Sequence, residues 1–447
     1  MTAPLPKKVL VVGLGQTGLS AVRYLNARGC DVRVADTRAN PPGLVELRRQ
    51  FSQVPVHTGA FDASVFIGVD ALVVSPGVSV KTPAIAEAVG RGAELLGDVE
   101  LFLRANTKPV IAITGSNGKS TVTELAAEML RDAGQQAVAA GNIGLPVLDL
   151  LEQHDYEVAV LELSSFQLET TRSLHSAAAV VLNVSEDHMD RYDDLAAYAA
   201  AKSTVYRTAS RVVLNRDDRL VMAMDIDPGA EIISFGLSCP QTMDDFGRVQ
   251  VDGETWLVKG ENKLLRADRM TMPGSHNQAN VLAAMALVET LGVDPVAAAD
   301  TAWRFGGLNH RCKLVANRKN VAWINDSKAT NVGATVAALQ GMTRPVVLIA
   351  GGEGKSADFT ALEQPIRKHV RSLILLGRDK QLIADAVGDA ADVTLVDSME
   401  QAVVAADARA ESGDIVMLSP ACASLDMYRN FAARGEHFEA LLQELTS

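Results

Sequence analysis

The run Ile111-Ala112-Ile113-Thr114-Gly115-Ser116-Asn117-Gly118-Lys119-Ser120-Thr121 constrains this chain more than any other. A β-branched apolar strand turns through two glycines and passes directly into a helical pattern, which is the layout of a nucleotide-phosphate cradle. The glycines let the loop backbone close around anionic oxygens with its N–H groups pointing inward, and the helix N-terminus adds positive dipole. Lys119 would then neutralise β- and γ-phosphate charge, and the Ser120 hydroxyl would meet Mg²⁺. The usual spacing has a glycine where this chain has Ile113, so the loop is shorter. A bare glycine turn before a helix is the competing reading. The order strand, loop, Lys-Ser, helix favours the phosphate.

The same rhythm recurs along the chain. Val9 to Val12, Asp31 to Ala35 and Ala71 to Ser75 are short β-branched runs separated by helical patterns at Leu19 to Arg28 and Pro83 to Arg91. A second alternation holds Val110 to Thr114, Val158 to Leu163, Ala179 to Val184 and Arg211 to Asn215, apolar enough to lie inside a parallel sheet. Residues 229 to 275 read as a small antiparallel insert before a helix over Asn280 to Leu291. After Gly306-Gly307 a third pattern starts afresh, with five core strands at Val321 to Asn325, Val346 to Ala350, Leu373 to Leu376, Val393 to Val396 and Ile415 to Leu418. At 447 residues, about three α/β domains are expected.

A net charge of −12 excludes broad nucleic-acid or anionic-membrane binding outside a local basic pocket. Small anionic substrates remain open. No stretch is long and apolar enough to span a bilayer, and Lys7-Lys8 before Val9 mimics a signal peptide only until the glycines interrupt it. The four cysteines lack CxxC spacing, so neither a zinc site nor a disulfide framework is implied and a reducing cytoplasm is expected.

Gly13-Leu14-Gly15-Gln16-Thr17-Gly18 fits a dinucleotide turn, and Asp36 ends the next strand where a ribose-binding acid belongs. Alone it predicts NAD, although the same geometry serves any diphosphate nucleotide, a nucleotide sugar included. Asp36-Thr37-Arg38 and Ser75-Pro76-Gly77 lie at the same sheet edge. Glu162 stands at an apolar strand end, where a lone acid is costly unless paired or metal-bound, so it is a Mg²⁺ ligand candidate. His188 lies in a polar cluster beyond a strand and could serve a metal or phosphate. Ser275 to Asn280, Asn325 to Asn331, Gly351 to Lys355 and Ser419 to Ser424 each place polar groups at an element end. Cys422 has no partner base nearby and reads as a small core residue. Lys202, taken alone, reads as a surface lysine.

Together these motifs resemble the Mur ligase family over the whole chain, and within it the branch that adds D-glutamate. The pieces that carry this are GLGQTGLS from Gly13, TGSNGKST from Thr114, LELSSFQ from Leu161, EDHMDRY from Glu186, NDSKATN from Asn325, and LSPACASLDMYRNFAARGEHF from Leu418. The resemblance implies a Rossmann-like UDP-binding domain over 1–97, a central P-loop ATPase over 98–307 and a Rossmann-like amino-acid domain over 308–447. It implies ATP-dependent ligation of D-glutamate to UDP-N-acetylmuramoyl-L-alanine through an acyl phosphate. Such a protein would be a cytoplasmic monomer in peptidoglycan precursor synthesis, with small-molecule partners only. The first glycine turn would serve UDP rather than NAD. An oxidoreductase and a nucleotide-switched binding protein are the competing classes.

By the same resemblance, Gly115, Ser116, Asn117, Gly118, Lys119, Ser120, Thr121, Asn277, Asn280, Arg311 and Asp326 would address ATP. Gln16, Thr17, Asp36, Thr37, Arg38, Gly77, Asn142 and Ser164 would hold the UDP substrate. Thr330, Lys355, Ser424 and Phe431 would hold D-glutamate, with Lys328 near the transferred group. Ser120, Glu162, His188 and Lys202 would ligate two Mg²⁺ ions, Lys202 as a CO₂-derived carbamate, since an ammonium cannot bind a cation. Asn309, Lys313 and Ser356 depart from the family pattern, which has proline, an acid and glycine there.

Overall fold

The computed structural model describes residues 5–153, 155–189, 191–272, 274–355 and 357–446. Asp190 of the EDHMDRY motif and Ser356 lie outside them. Three sheets form along the chain, and the inner strands of each are apolar runs buried on both faces.

The first sheet has β1 (Lys8–Val12), β2 (Asp31–Asp36), β3 (Val56–Thr58), β4 (Ala71–Val74) and β5 (Glu94–Leu96) in the order β3-β2-β1-β4-β5, all parallel. Its middle strand β1 ends at the glycine turn, and the helix Gln16–Ala27 follows. The order reverses at β1, so a crevice opens at the carboxyl ends of β1 and β4, where ligands of open α/β sheets bind.

The central sheet has β6 (Val110–Thr114), β7 (Ala137–Gly141), β8 (Val158–Glu162), β9 (Ala178–Val181), β10 (Arg211–Asn215), β11 (Glu231–Phe235), β12 (Phe246–Val251), β13 (Glu254–Lys259) and β14 (Asn262–Arg266). Its order is β14-β13-β12-β11-β10-β9-β6-β8-β7. The parallel part brings the ends of β6, β8 and β9 side by side, because Ile113 pairs with both Glu162 and Val180. The helix Lys119–Asp132 packs on this sheet together with Ser275–Glu289, whose residues Val281 to Val288 are all buried. Each buried leucine or valine there contributes roughly 1.5–3 kcal/mol of transfer free energy.

The third sheet has β15 (Lys313–Arg318), β16 (Val321–Asn325), β17 (Val346–Gly351), β18 (Val370–Leu376), β19 (Asp392–Leu395) and β20 (Ile415–Leu418), in the order β15-β16-β20-β17-β18-β19. All pairs are parallel except β15 with β16.

Two expectations need correction. The insert over 229 to 275 is not wholly antiparallel, since β11 pairs parallel with β10 and only β12 to β14 form a meander. The third sheet has six strands rather than five. The added strand, β15, carries the polar-rich KLVANR and sits at an edge, where one face need not be apolar. The short β3, β5 and β7 also escape the sequence reading. The first two sheets are not independent blocks: one cluster of buried apolar residues runs from Val9 and Val73 through Val99 and Phe102 to Ala112 and Leu161.

Candidate functional site

A cavity of about 650 Å³ opens where β6, β8 and β9 end in the central domain and where β16 and the helix Val332–Gln340 of the third domain face them. Its floor is the loop after β6. Gly115 and Gly118 have φ of +148° and +84°, and a Cβ on Gly118 would lie 2.4 Å from Asn280 Oδ1. The segment after β9 clamps the loop: Asn117 N donates to Asn183 Oδ1 at 2.8 Å, Asn183 Nδ2 donates to Asn117 O at 3.0 Å, and Ser116 Oγ donates to Ser185 O at 2.9 Å. Ser116, Asn117, Gly118, Lys119, Ser120 and Thr121 all line the cavity.

Two lysines converge on one carbonyl. Lys119 Nζ donates to Gly115 O and Ser116 O, both at 2.9 Å, while Lys202 Nζ donates to the same Gly115 O at 2.8 Å. Lys202 is 1% exposed on the helix Leu195–Ser203, with its ammonium 4.3 Å from the Tyr198 ring. It is therefore not the surface lysine that its local sequence suggests. Burial, and then the neighbouring Lys119, push the Lys202 amine well below the usual lysine range; burial lowers Lys119 too.

Glu162 ends β8 beside this pair and is 3% exposed. Its Oε1 accepts from Asn142 Nδ2 at 2.9 Å, while Oε2 is buried with no hydrogen-bond partner. A buried carboxylate oxygen without a donor is costly. A divalent cation between this oxygen and the Ser120 hydroxyl would satisfy it. Mg²⁺ keeps waters and phosphate oxygens as most of its ligands, so one carboxylate and one hydroxyl from the protein would suffice. His188 lines the same cavity with its backbone in the left-handed region at φ +59°, and its ring packs edge-on against Phe166 at 4.9 Å. Cys312 and Lys355, also on the wall, have φ of +45° and +51°. Such costly conformations cluster where a site needs side chains aimed.

The third domain supplies the other wall. Arg311 Nη2 donates to Ser120 Oγ at 2.5 Å. Asp326 is buried and accepts from Ser419 Oγ at 2.8 Å and Cys312 N at 3.1 Å; burial raises its pKa to about 6. Lys328 stands 4.1 Å above the Phe431 ring; burial, then Arg311 and Lys119, lower it to about 8. Asn277 and Asn280 line the cavity beside His276, which burial lowers to about 4. Thr330 and Lys355 reach the cavity as well. Ser424 and Phe431 do not line it: Ser424 is buried, and the Phe431 ring lies under the Lys328 ammonium.

The residues expected to hold a UDP group fall in two places. Asn142 and Ser164 line the central cavity, Asn142 bonded to Glu162 and Ser164 in a reciprocal cap with Gln167. Gln16, Thr17, Asp36, Thr37, Arg38 and Gly77 stay with the first sheet. There Asp36 is fully engaged, accepting from Leu14 N at 2.7 Å and from the Arg38 guanidinium at 2.6 and 2.9 Å. Burial works to raise this carboxyl, yet the Arg38 side chain and the N–H groups of Leu14 and Arg38 hold it down at about 2. In this arrangement the Asp36 carboxylate is spent on the turn and on Arg38 rather than held out toward a ribose diol.

Asn183, Ser185 and Asp187 belong to the polar segment the sequence marks beyond β9 but carry no assigned role there, and Phe166 follows the end of β8. Tyr198 has no such local signal, because the helix Leu195–Ser203 brings it to the cavity.

A phosphate loop with a buried acid and two converging lysines, one of them buried, facing Arg311, Lys328 and Lys355 from a third α/β domain, is the equipment of an ATP-dependent carboxylate-activating enzyme. Family models agree along the chain: the Mur ligase MurD-like N-terminal domain matches residues 7–97, the Mur ligase middle domain 113–288, and the Mur ligase glutamate ligase domain 310–422. The UDP-N-acetylmuramoylalanine–D-glutamate ligase of Methylobacillus flagellatus is 49% identical over 442 residues, covering 98% of this chain and 97% of that one. The enzyme of the same name from Marinobacter nauticus is 49% identical over 444 residues, covering 98% of each. The chain belongs to the Mur ligase family. Among solved structures, the UDP-N-acetylmuramate-alanine ligase of Thermotoga maritima shares the fold at a TM-score of 0.61 and 19% identity, over 98% of this chain and 99% of that one.

Proposed function

We propose that this protein joins D-glutamate to UDP-N-acetylmuramoyl-L-alanine with cleavage of ATP to ADP and phosphate, in cytoplasmic peptidoglycan precursor synthesis. The observation that supports this most is the cavity itself, which gathers phosphate-binding, metal-binding and cationic groups from two domains around one volume. On the division into 1–97, 98–307 and 308–447, the first domain would hold the UDP group, the second the phosphates of ATP and the third the amino acid, with the reacting groups meeting in the shared cavity.

A free carboxylate is a poor acylating agent, so it must first be activated. The alanyl carboxylate oxygen attacks the γ-phosphorus, the bond to ADP breaks, and an acyl phosphate forms. The amine of D-glutamate then attacks the acyl carbon, loses a proton, and expels inorganic phosphate with its C–O bond. Neither step needs a covalent link to the protein, so the side chains act by position and charge. Lys119 holds the β- and γ-phosphates, Arg311 and Lys328 approach from the opposite wall, and Lys355 offers a cation to a carboxylate of the amino acid. Ser120, Glu162 and His188 would hold Mg²⁺, which supplies charge neutralisation for the transferring phosphoryl group.

Lys202 fits this set only in another chemical form. Its amine is buried beside a second ammonium, which favours the neutral nucleophile. Attack of that amine on CO₂, with loss of one proton, would give a carbamate whose oxygens could ligate a cation.

The decisive experiment is phosphate release from ATP with UDP-N-acetylmuramoyl-L-alanine, comparing D-glutamate with L-glutamate, L-lysine, meso-diaminopimelate and no amino acid, with product mass checked. Release and the amide mass with D-glutamate alone are expected. Dependence on another amino acid would move the substrate within the ligase class. Release without the UDP substrate would overturn the assignment and favour a nucleotide-driven switch.

A further inference from the structure

The contact between the third and central domains includes, besides the Arg311–Ser120 bond, an asparagine that none of the site assignments uses. Asn331 precedes the helix Val332–Gln340, and its Oδ1 accepts from Ala334 N at 2.8 Å, capping that helix. The other end of the same amide crosses the domain boundary. Asn331 Nδ2 donates to Asn117 Oδ1 at 3.3 Å and to Asp187 Oδ2 at 3.2 Å.

The helix is also shaped for this approach. A Cβ on Gly333 would lie 2.8 Å from Ser185 Oγ and 3.5 Å from Asn117 Nδ2, so a side chain there would push Ser185 aside or hold the first turn off. Asn117 and Ser185 are not passive neighbours. They hold each other through Asn117 Nδ2 and Ser185 Oγ at 3.3 Å, and both belong to the clamp that shapes the phosphate loop. A shift of the helix is therefore felt at the loop, and a change in the loop is felt at the helix. Lys328 and Thr330, on the same segment as Asn331, line the cavity.

We infer that Asn331 is a positioning residue that couples docking of the third domain to the shape of the phosphate loop, and through this sets the apparent affinity for the incoming amino acid. The inference rests on the ligase reading above. It predicts that the nucleotide-loaded loop and the docked third domain stabilise one another, with Asn331 and the glycine at 333 as the contact.

Three variants test it. Asn331→Ser keeps a capping hydroxyl but cannot reach both partners. Asn331→Asp keeps the cap and sets a carboxylate against Asp187. Gly333→Ala adds one methyl at the interface while improving helix propensity. All three should melt near the wild-type temperature and bind the UDP substrate by calorimetry as the wild type does. KM for D-glutamate should rise about tenfold in Asn331→Ser, the scale of one or two lost hydrogen bonds, and further in Asn331→Asp, with kcat changing less. The contraction seen by small-angle scattering on adding Mg²⁺ and a non-hydrolysable ATP analogue should shrink in each. Wild-type KM and wild-type contraction in all three variants would overturn the coupling. A wild-type protein that contracts but turns over no amino acid, with contraction lost in the variants, would instead sink the ligase reading and keep the coupling.

Discussion

The chain makes the strand–glycine–helix turn at Gly13 to Gly18 and again at Gly115 to Gly118, and the two do different things with the same backbone. The first is closed on itself. A Cβ on Gly18 would lie 1.9 Å from Gly13 O, Ser75 Oγ donates to Gly13 O at 2.9 Å, and Asp36 takes the Leu14 N–H. The second is held open by a clamp of asparagine and serine, with two lysines pointing at its carbonyls and an unpartnered Glu162 oxygen beside it. Glycine spacing thus sets the turn, whereas the ends of neighbouring strands decide whether it holds a ligand passively or drives chemistry.

The sharpest way to break this contrast is Lys119→Ala. Losing the cation aimed at transferring phosphate should lower kcat by on the order of a thousandfold or more, while calorimetric binding of the UDP substrate stays near wild type because the first turn carries it. Equal loss of both would mean that the two turns share one ligand. Lys202→Ala should cost on the order of a hundredfold in kcat, and added short carboxylic acids should restore part of it if a carboxylate is what the site lacks. No recovery at any concentration would count against the carbamate.

Asp36→Ala attacks the closed turn instead. It leaves Leu14 N–H and the Arg38 guanidinium without their acceptor, so KM for the UDP substrate should rise about tenfold with KM for ATP unchanged. The carboxyl is depressed to about 2 in the folded protein from an ordinary 3.8, so its contribution to stability is present above about pH 4 and is lost as pH falls through about 2. A melting curve against pH on wild type and variant should converge at that acid end, and a constant gap would contradict the sign.

Lys328 gives a smaller effect in the opposite pH direction. Its pKa of about 8 means that the ammonium is lost as pH rises through 8, so nucleotide affinity should weaken above that point by at most about tenfold per pH unit. Lys328→Arg keeps its charge and should flatten the decline in calorimetric titrations; an unchanged slope would assign it to another group.

Much of this was legible in the sequence, and the failures have a pattern. Runs such as Val110 to Ile113 and Ile415 to Leu418 are apolar at every position because both sheet faces are covered, and the sequence marks the strands that hold them to the residue. Strand β15 was missed because an edge strand needs no such run. At the site, Lys119 and Glu162 carry local signals, a glycine loop and an acid in an apolar strand. Lys202 carries none: Ala199-Ala200-Ala201-Lys202 says only that the helix can pack closely, and its burial beside Gly115 is a long-range fact. Asn331 was visible as a residue in a polar cluster, but its reach to Asn117 and Asp187 depends on how two domains meet.

The mildest test uses the remaining glycine of the first turn. Nothing lies within 4 Å of a Cβ built on Gly15, and its φ is not in the left-handed region, so Gly15→Ala should leave the melting temperature within about a degree or raise it slightly through the unfolded state. The open space is nonetheless informative, because Gly15 directly precedes the helix Gln16–Ala27, where a diphosphate would meet the N–H groups. A methyl there should raise KM for the UDP substrate a few-fold while ATP kinetics stay fixed. If binding is untouched, the diphosphate lies elsewhere along the crevice and the closed turn is structural. If ATP kinetics change instead, the two glycine turns are coupled through the apolar cluster that joins their sheets, and the division of labour between them is less complete than their geometry indicates.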